Sequence, residues 1–144
     1  MRGLLDVNVL IALFDVDHVF HDRAHEWLAA YASAGIATCP LTENGVVRVL
    51  SHPRYSAAMR LAPWDVIDRL NGFCGANDHA FWPDEVSIAD SGCFAREQIL
   101  GSRQITDVYL LGLANKHSGR LVTFDEGIML STVRGASRAT LLVI

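Results

Sequence analysis

Four acidic residues that lie far apart in the chain share one local setting, because each follows or interrupts an apolar run. They are Asp6 in LLDVNVL, Glu43 in CPLTENGVV, Asp107 in RQITDVYLLGLA and Asp125 in RLVTFDEGI. In an open α/β sheet, ligands bind outside the carboxyl ends of the strands, where such residues can converge. Four carboxylates in one cleft repel one another unless a cation shares the site or some are protonated. The pattern therefore predicts a hard divalent cation, and such cations usually handle phosphate.

Each of these carboxylates also has a purely structural interpretation. Asp6 can cap a helix that begins near Asn8, and Asp125 can end a strand in a turn. Asp107 and Glu43 occupy predicted first turns of helices, where the helix dipole favours a negative charge. For any one residue alone these alternatives stay open, so the prediction of a shared site depends on the fold bringing all four together.

The elements that must position the acids alternate between short apolar strands and amphipathic helices. We predict strands at residues 2–6, IATCP, FWPDEVSI from near Asp84, RLVTF and TLLVI. We predict helices at residues 8–15, 20–33, 42–51, 63–75, 89–100 and 106–119, with Thr42 and Thr106 as caps. This alternation indicates a mostly parallel sheet that is covered by helices on both faces.

Composition limits the class of protein. The chain has 144 residues, of which 51% are apolar and 19% charged, and this fits one domain over residues 1–144 with a substantial core. Asp6 and Asp15 interrupt the apolar N-terminal stretch, unlike a signal peptide, and no apolar run could span a bilayer, so we expect a cytoplasmic protein. Cys39, Cys74 and Cys93 show no CxxC spacing, which argues against a disulfide framework and a thiolate zinc site.

The histidines and the net charge give weaker signals. His21 and His25 are one helical turn apart, a spacing that can bind zinc, but no HExxH motif is present and we interpret them as a solvated helix edge. The net charge of −4 does not by itself suggest nucleic-acid binding. An acidic excess concentrated in the predicted site would nevertheless be offset by a bound cation.

Four segments taken together resemble the PIN domain, and specifically the VapC-type toxins of bacterial toxin–antitoxin pairs. The matching segments are LLDVNVLIAL, LTENGVVRVLSHP, ITDVYLLGLA and LVTFDEGI, and their order and spacing suit that family across essentially the whole chain. The resemblance implies a three-layer α/β/α fold with a five-stranded parallel sheet. It also implies a metal-dependent endoribonuclease that forms a homodimer and is blocked by a small antitoxin protein.

The resemblance also assigns roles to individual residues. Catalysis and the binding of Mg²⁺ or Mn²⁺ would fall to an acidic quartet, namely Asp6, Glu43, Asp107 and Asp125. Asn8 and Thr123 would support this quartet by hydrogen bonding. We expect hydrolysis of an RNA phosphodiester by a metal-activated water, with one or two metals and no covalent enzyme intermediate.

Several further charged residues lie near the predicted site elements. Arg48, Arg54 and Arg103 can hold RNA phosphates, or they can serve only the solubility of the surface. Asp90 and Glu126 are additional acids that can join the site. The sequence leaves both questions open.

Three other interpretations compete with the nuclease. A phosphoacceptor receiver-like domain would need a lysine near its last strand, whereas the single lysine, Lys116, lies on a predicted helix. A haloacid-dehalogenase-like phosphatase would need a second aspartate two residues after Asp6, and that position is Asn8. A non-catalytic α/β binding module remains possible if the acids only cap helices, and metal-dependent melting would separate it from the nuclease.

Overall fold

The computed structural model describes residues 1–144 and contains a five-stranded sheet and five α-helices. The strands are β1 (Gly3–Leu5), β2 (Ile36–Thr38), β3 (His79–Phe81), β4 (Arg120–Thr123) and β5 (Leu141–Val143). The helices are α1 (Val7–Phe14), α2 (His21–Tyr31), α3 (Pro40–Leu50), α4 (Pro63–Ala76) and α5 (Ile105–Lys116). None of the helices is long and apolar enough to cross a membrane.

All neighbouring strands in the sheet are parallel, and their order is β3-β2-β1-β4-β5. The predicted five-stranded parallel sheet is therefore confirmed. In the centre of the sheet, Leu4 of β1 pairs with Ala37 on one side and with Leu121 on the other. Since β1 and β4 run side by side in the same direction, the residues that follow them, including Asp6, meet at one edge of the sheet.

The two faces of the sheet carry separate apolar layers, because successive strand residues point to opposite faces. Leu5, Ile36 and Val122 pack against α1, α2, α3 and α4. Leu4 and the residues beside it in β2 and β4 pack against α5. This arrangement gives the three-layer α/β/α architecture that the resemblance implied, with strands buried on both sides.

The segment between α4 and α5 differs from the prediction. The third strand is His79–Phe81 rather than a strand from Asp84, and residues 84–88 form no strand. Phe81 pairs with Thr38 of β2, and the N–H of Trp82 donates a 2.8 Å hydrogen bond to the Thr38 carbonyl. β2 ends at Thr38 because α3 begins at Pro40, so a longer third strand would have no residues with which to pair. β3 is an edge strand with two half-buried residues and one exposed residue, Phe81, so its burial leaves only a weak apolar pattern in the sequence.

The predicted helix over residues 89–100 is also wrong. These residues form turns, with one short 3-10 helix at Arg96–Gln98. The carboxylate of Asp90 accepts a 2.8 Å hydrogen bond from the backbone N–H of Gly92, which closes a tight turn where a helix would have had to continue.

The predicted helix caps require correction as well. α3 begins at Pro40, and Thr42 lies in its first turn, where the Thr42 hydroxyl accepts a 3.1 Å hydrogen bond from the N–H of Cys39. α5 begins at Ile105 directly after a 3-10 helix, Ser102–Gln104, and has no side-chain cap, so Thr106 does not have the predicted role. In both cases the chain enters the helix earlier than the threonine.

Candidate active site

Asp6 lies directly after β1 and directly before α1, so it serves both as a helix cap and as a side chain at the carboxyl edge of the sheet. Its Oδ1 accepts a 2.7 Å hydrogen bond from the N–H of Val7, and its Oδ2 accepts one of 2.6 Å from the hydroxyl of Thr123. Only 6% of the residue is exposed. Burial raises the pKa of this carboxyl, and the nearby charge of Asp125 adds to the rise, although the hydrogen bonds from Thr123 and Val7 oppose it.

Thr123 is the last residue of β4 and connects three parts of the site through one buried hydroxyl. It donates to Asp6 and accepts 3.1 Å hydrogen bonds from Nδ2 of Asn8 and from the N–H of Asp125. Oδ1 of Asn8 accepts a further hydrogen bond of 3.4 Å from the N–H of Phe124. The hydrogen bonding implied for Asn8 and Thr123 is thus present, and it fixes the orientation of the Asp6 carboxylate.

Asp107 reaches the same region from the first turn of α5 and is half-buried. Burial, followed by the charges of Asp6 and Asp125, raises the pKa of Asp107 to about 6. Asp125 itself is exposed, and its Oδ1 accepts a 2.7 Å hydrogen bond from the N–H of Gly127. The fold therefore brings three of the four predicted acids together, from β1, β4 and α5.

Glu43 contacts a different set of side chains. Its Oε1 accepts a 2.6 Å hydrogen bond from the hydroxyl of Thr38, and the same hydroxyl oxygen lies 2.7 Å from Nε2 of His79. Burial and then the charge of Glu43 raise the pKa of Cys74 to about 11. Because Thr38 ends β2, the neighbour of β1, Glu43 lies near the same edge of the sheet as Asp6 but is held on the α3 and α4 side.

His79 and Cys74 were not predicted as site residues. They come from the edge strand β3, which the sequence pattern did not show, and from the last turn of α4. No motif spacing links either residue to Glu43, so only the folded chain reveals that the three are neighbours.

The three aspartates have the donor chemistry that a hard divalent cation requires. All of their ligand atoms are carboxylate oxygens, which suit Mg²⁺ or Mn²⁺ better than softer metals. Burial and then their mutual repulsion raise the pKa of Asp107, and a cation in the space between the carboxylates would relieve the repulsion. The residues present therefore fit the metal that the resemblance implied.

The other charged residues of the prediction are spread along the surface. Arg48 lines a groove between α3 and α4 that also contains Glu43. Arg103 lies in the 3-10 helix before α5, and Arg54 lies in the turn after α3; both are exposed. Asp90 and Glu126 are exposed too, and the Asp90 carboxylate is engaged by the turn at Gly92.

The histidine pair of α2 has a structural role. Nδ1 of His21 lies 2.8 Å from the carbonyl of Ala12, and Nε2 of His25 lies 3.0 Å from the carbonyl of Leu13. These contacts satisfy free carbonyl groups at the end of α1. His25 is exposed and His21 half-buried, so the two rings lie on the solvated edge that we predicted and also fasten α2 to α1.

Comparison with known proteins identifies the family. A family model described as the PIN domain matches residues 3–134. The chain belongs to the PIN domain family. Among curated relatives, Ribonuclease VapC44 of Mycobacterium tuberculosis is 46% identical over 144 residues, which are 100% of this chain and 100% of the relative.

Two further relatives from the same organism extend this result. Ribonuclease VapC39 is 39% identical over 135 residues, which are 94% of this chain and 96% of the relative. Ribonuclease VapC29 is 44% identical over 128 residues, which are 89% of each chain. The resemblance of this PIN domain to the VapC proteins is therefore confirmed, and the receiver-like alternative is set aside.

Proposed function

We propose that this PIN domain is the toxin of a VapC-type toxin–antitoxin pair and acts as a divalent-cation-dependent endoribonuclease. The observation that carries the proposal is the convergence of Asp6, Asp107 and Asp125 at the carboxyl edge of the sheet. The ribonuclease names of the full-length relatives support the same activity. RNA phosphodiester bonds are the substrate class that fits both the aspartate site and the names of the relatives.

In this proposal, Asp6 and Asp107 are the principal ligands of Mg²⁺ or Mn²⁺, and Asp125 completes the ligand set or orients water. When bound, the cation would stabilise charge on the phosphate oxygens and lower the pKa of a coordinated water. The chain's own contribution is to hold the carboxylates in place. Thr123 fixes one oxygen of Asp6 and the N–H of Val7 fixes the other, so the carboxylate cannot rotate freely.

Glu43 is the fourth member of the proposed acidic quartet. Its hydrogen bond to Thr38 keeps the carboxylate near the end of β2, beside the strand that ends at Asp6. Only one of its oxygens is used in that bond, so the other stays available to the cation or to water. This position supports a role for Glu43 in the quartet, on the side of the aspartates where α3 lies.

The proposal extends to substrate and partners. Arg48 and Arg103 are exposed on opposite flanks of the site, next to the elements that carry Glu43 and Asp107, and they would contact RNA phosphates. A cognate antitoxin protein would inhibit the enzyme, and the toxin would form a homodimer, as the VapC resemblance implies. Cellular RNA as the substrate would place the protein in the cytoplasm.

The test is the cleavage of a mixed cellular RNA pool by the purified protein with Mg²⁺ or Mn²⁺ and, in parallel, with EDTA. Asp6→Asn is the inactive variant, and Asp68→Asn, which changes an exposed carboxylate of α4, is the matched control. We expect discrete cuts that require the cation, persist in Asp68→Asn and vanish in Asp6→Asn. Cutting that survives EDTA or Asp6→Asn would contradict the proposal.

If the protein cuts no RNA in the pool, thermal melting separates two explanations. A nuclease with a narrow choice of substrate would still bind Mn²⁺ through its aspartates and melt at a higher temperature when Mn²⁺ is added. A non-catalytic module in which the acids only cap helices would melt at the same temperature with and without Mn²⁺.

A further inference from the structure

Glu43, Cys74 and His79 form a cluster of three different ligand types beside the aspartate site. A carboxylate oxygen, a thiol sulfur and an imidazole nitrogen from these residues all lie within 4.8 Å of one another. They come from α3, α4 and β3, so three separate elements aim potential ligands at one point. All three residues are half-buried, which leaves the point accessible to an ion from solvent.

We infer that this cluster is a second metal site, selective for a borderline or soft divalent cation such as Zn²⁺. Its donor set of one oxygen, one sulfur and one nitrogen is the mixture that zinc accepts, whereas Mg²⁺ prefers oxygen alone. A single cysteine is enough for such a site, so the absence of a CxxC spacing from the sequence does not oppose it. Three protein ligands would leave a fourth position for water.

The separations between the ligand atoms are compatible with tetrahedral coordination. Zinc bonds of about 2.0–2.3 Å at tetrahedral angles place ligand atoms about 3.4–3.6 Å apart. The observed limit of 4.8 Å is wider by an amount that side-chain rotations can close. The packing of α3 and α4 against the same face of the sheet sets the approach of the Glu43 and Cys74 side chains.

Thr38 organises the cluster before any ion binds. Its hydroxyl donates to Oε1 of Glu43 at 2.6 Å and accepts from Nε2 of His79 at 2.7 Å, and the residue is fully buried. The carboxylate and the imidazole are thus turned toward each other rather than toward solvent. Ion binding would use an oxygen of Glu43 and the imidazole of His79 together with the thiol of Cys74.

Occupation of this cluster has a consequence for the neighbouring site. Glu43 belongs both to the zinc cluster and to the proposed nuclease quartet, and a carboxylate held by zinc on the α4 side is withdrawn from the aspartates. Zinc would therefore oppose cleavage supported by Mg²⁺. This consequence rests on the proposed function, whereas binding to the cluster does not.

The experiment is a titration of the full-length, metal-free protein with Co²⁺ alone, in which cobalt reports on the zinc site. A cobalt–thiolate bond gives an intense near-ultraviolet band that oxygen ligands cannot produce, so the aspartate site is silent. We expect this band to saturate at one equivalent and to disappear when Zn²⁺ displaces the cobalt. Absence of the band in the wild-type protein would overturn the inference.

Variants assign the band to particular residues. Cys74→Ser should lose it completely and His79→Gln should weaken it, whereas Cys93→Ser, which changes a half-buried cysteine packed on the α5 side, should retain it. A band that persists in Cys74→Ser would overturn the assignment, provided that circular dichroism shows each variant to be folded. Asp6→Asn should keep the band although it loses cleavage, so failure of the metal cluster and failure of the proposed nuclease can be told apart.

Discussion

The hydroxyl of Thr123 donates a 2.6 Å hydrogen bond to Oδ2 of Asp6, although 117 positions separate the two residues in the chain. The bond joins the ends of β1 and β4, which pair directly in the centre of the sheet. It is also the point at which the Asn8 side chain and the backbone of Asp125 meet. The position of the Asp6 carboxylate is therefore set by the core of the sheet rather than by a flexible loop.

Thr123→Val should weaken both the fold and the binding of the cation. Valine has nearly the same shape but offers no hydroxyl, so the Asp6 carboxylate, the Asn8 amide and the N–H of Asp125 each lose a partner. Asp6 is the buried residue of the three, and leaving a buried group short of a partner costs about 1–3 kcal/mol in the free energy of unfolding. Loss of a partner behind a metal ligand typically lowers affinity about 10–100-fold. Urea unfolding and a Mn²⁺ titration would measure the two effects.

Thr123→Ser is the matched control for that variant, because it keeps the hydroxyl and removes only a methyl group. We expect its Mn²⁺ affinity to stay close to that of the wild-type protein. Equal affinity of Thr123→Val and the wild type would show that the hydroxyl does not position Asp6.

The pH dependence of stability should reveal the cost of burying the Asp107 carboxylate beside Asp6 and Asp125 in the metal-free protein. The pKa of Asp107 is raised from 3.8 to about 6 in the folded chain, so between these values the folded state holds a proton that the unfolded state has released. The stability that this proton gives the folded state is fully present below pH 3.8 and is lost as the pH rises through about 6. Asp107→Asn should therefore be more stable than the wild type at about pH 7, with a smaller advantage at about pH 4.5.

Urea unfolding in EDTA at these two pH values would test this expectation. Added Mn²⁺ should reverse the order at the higher pH, since the cation stabilises the folded wild type through the carboxylate that the variant lacks. An advantage of Asp107→Asn that does not change with pH would show that the ionised Asp107 carboxylate, buried beside the other aspartates, is not its cause.

Glu43→Gln should separate a quartet from a site of three aspartates. Glutamine keeps an oxygen that can accept the hydrogen bond from Thr38, so the fold should be retained, but it removes the negative charge. If Glu43 serves the reaction, cleavage of the RNA substrate should fall by more than about tenfold, the lower end of what the loss of a supporting group at a metal site costs. Undiminished cleavage would leave Asp6, Asp107 and Asp125 as the whole acidic site.

Arg48→Ala and Arg103→Ala should weaken RNA binding through the loss of phosphate contacts. Binding is best measured at several salt concentrations in the Asp6→Asn background, in which we expect the RNA not to be cut. Each lost phosphate contact should lower the slope of log affinity against log salt by about 0.7 for single-stranded RNA. Arg138→Ala is the control, because this exposed arginine precedes β5 and so lies at the amino ends of the strands, away from the aspartates at the carboxyl ends.

A slope that stays constant in both arginine variants would assign Arg48 and Arg103 to surface solubility alone. A slope that falls in only one of them would show on which flank of the aspartates the RNA backbone runs, since Arg48 lies on α3 and Arg103 precedes α5.

Much of the fold could be predicted from the sequence, because the apolar runs and helical periodicities that indicate its main elements are local and strong. The fully buried strand β1 and the mostly buried β4 are continuous apolar runs that end at an acid or a threonine, and the apolar periodicity of α2 and α4 lies within each helix. The segments around Asp6 and Asp107 also supplied the family resemblance. The parallel direction of the strands then follows from the alternation of strands and helices along the chain.

The segment between α4 and α5 shows where local signals fail. β3 is a three-residue edge strand whose existence depends on hydrogen bonds to β2, and the turn at Asp90 depends on a contact between a side chain and the backbone. Apolar residues such as Val86 and Ile88 resemble a strand in the sequence, but they have no neighbouring strand with which to pair. Pairing partners are a property of the folded chain.

By itself, the sequence determined that Asp6 and Asp125 each follow an apolar strand, at positions that can converge if the two strands are parallel neighbours. Only the tertiary structure decided that Thr123 bridges them, and that Glu43 is bound to Thr38 beside Cys74 and His79. The physical reason is the range of the interactions. Burial and periodicity act along neighbouring residues, whereas hydrogen bonds and charge contacts between side chains depend on the packing of distant elements.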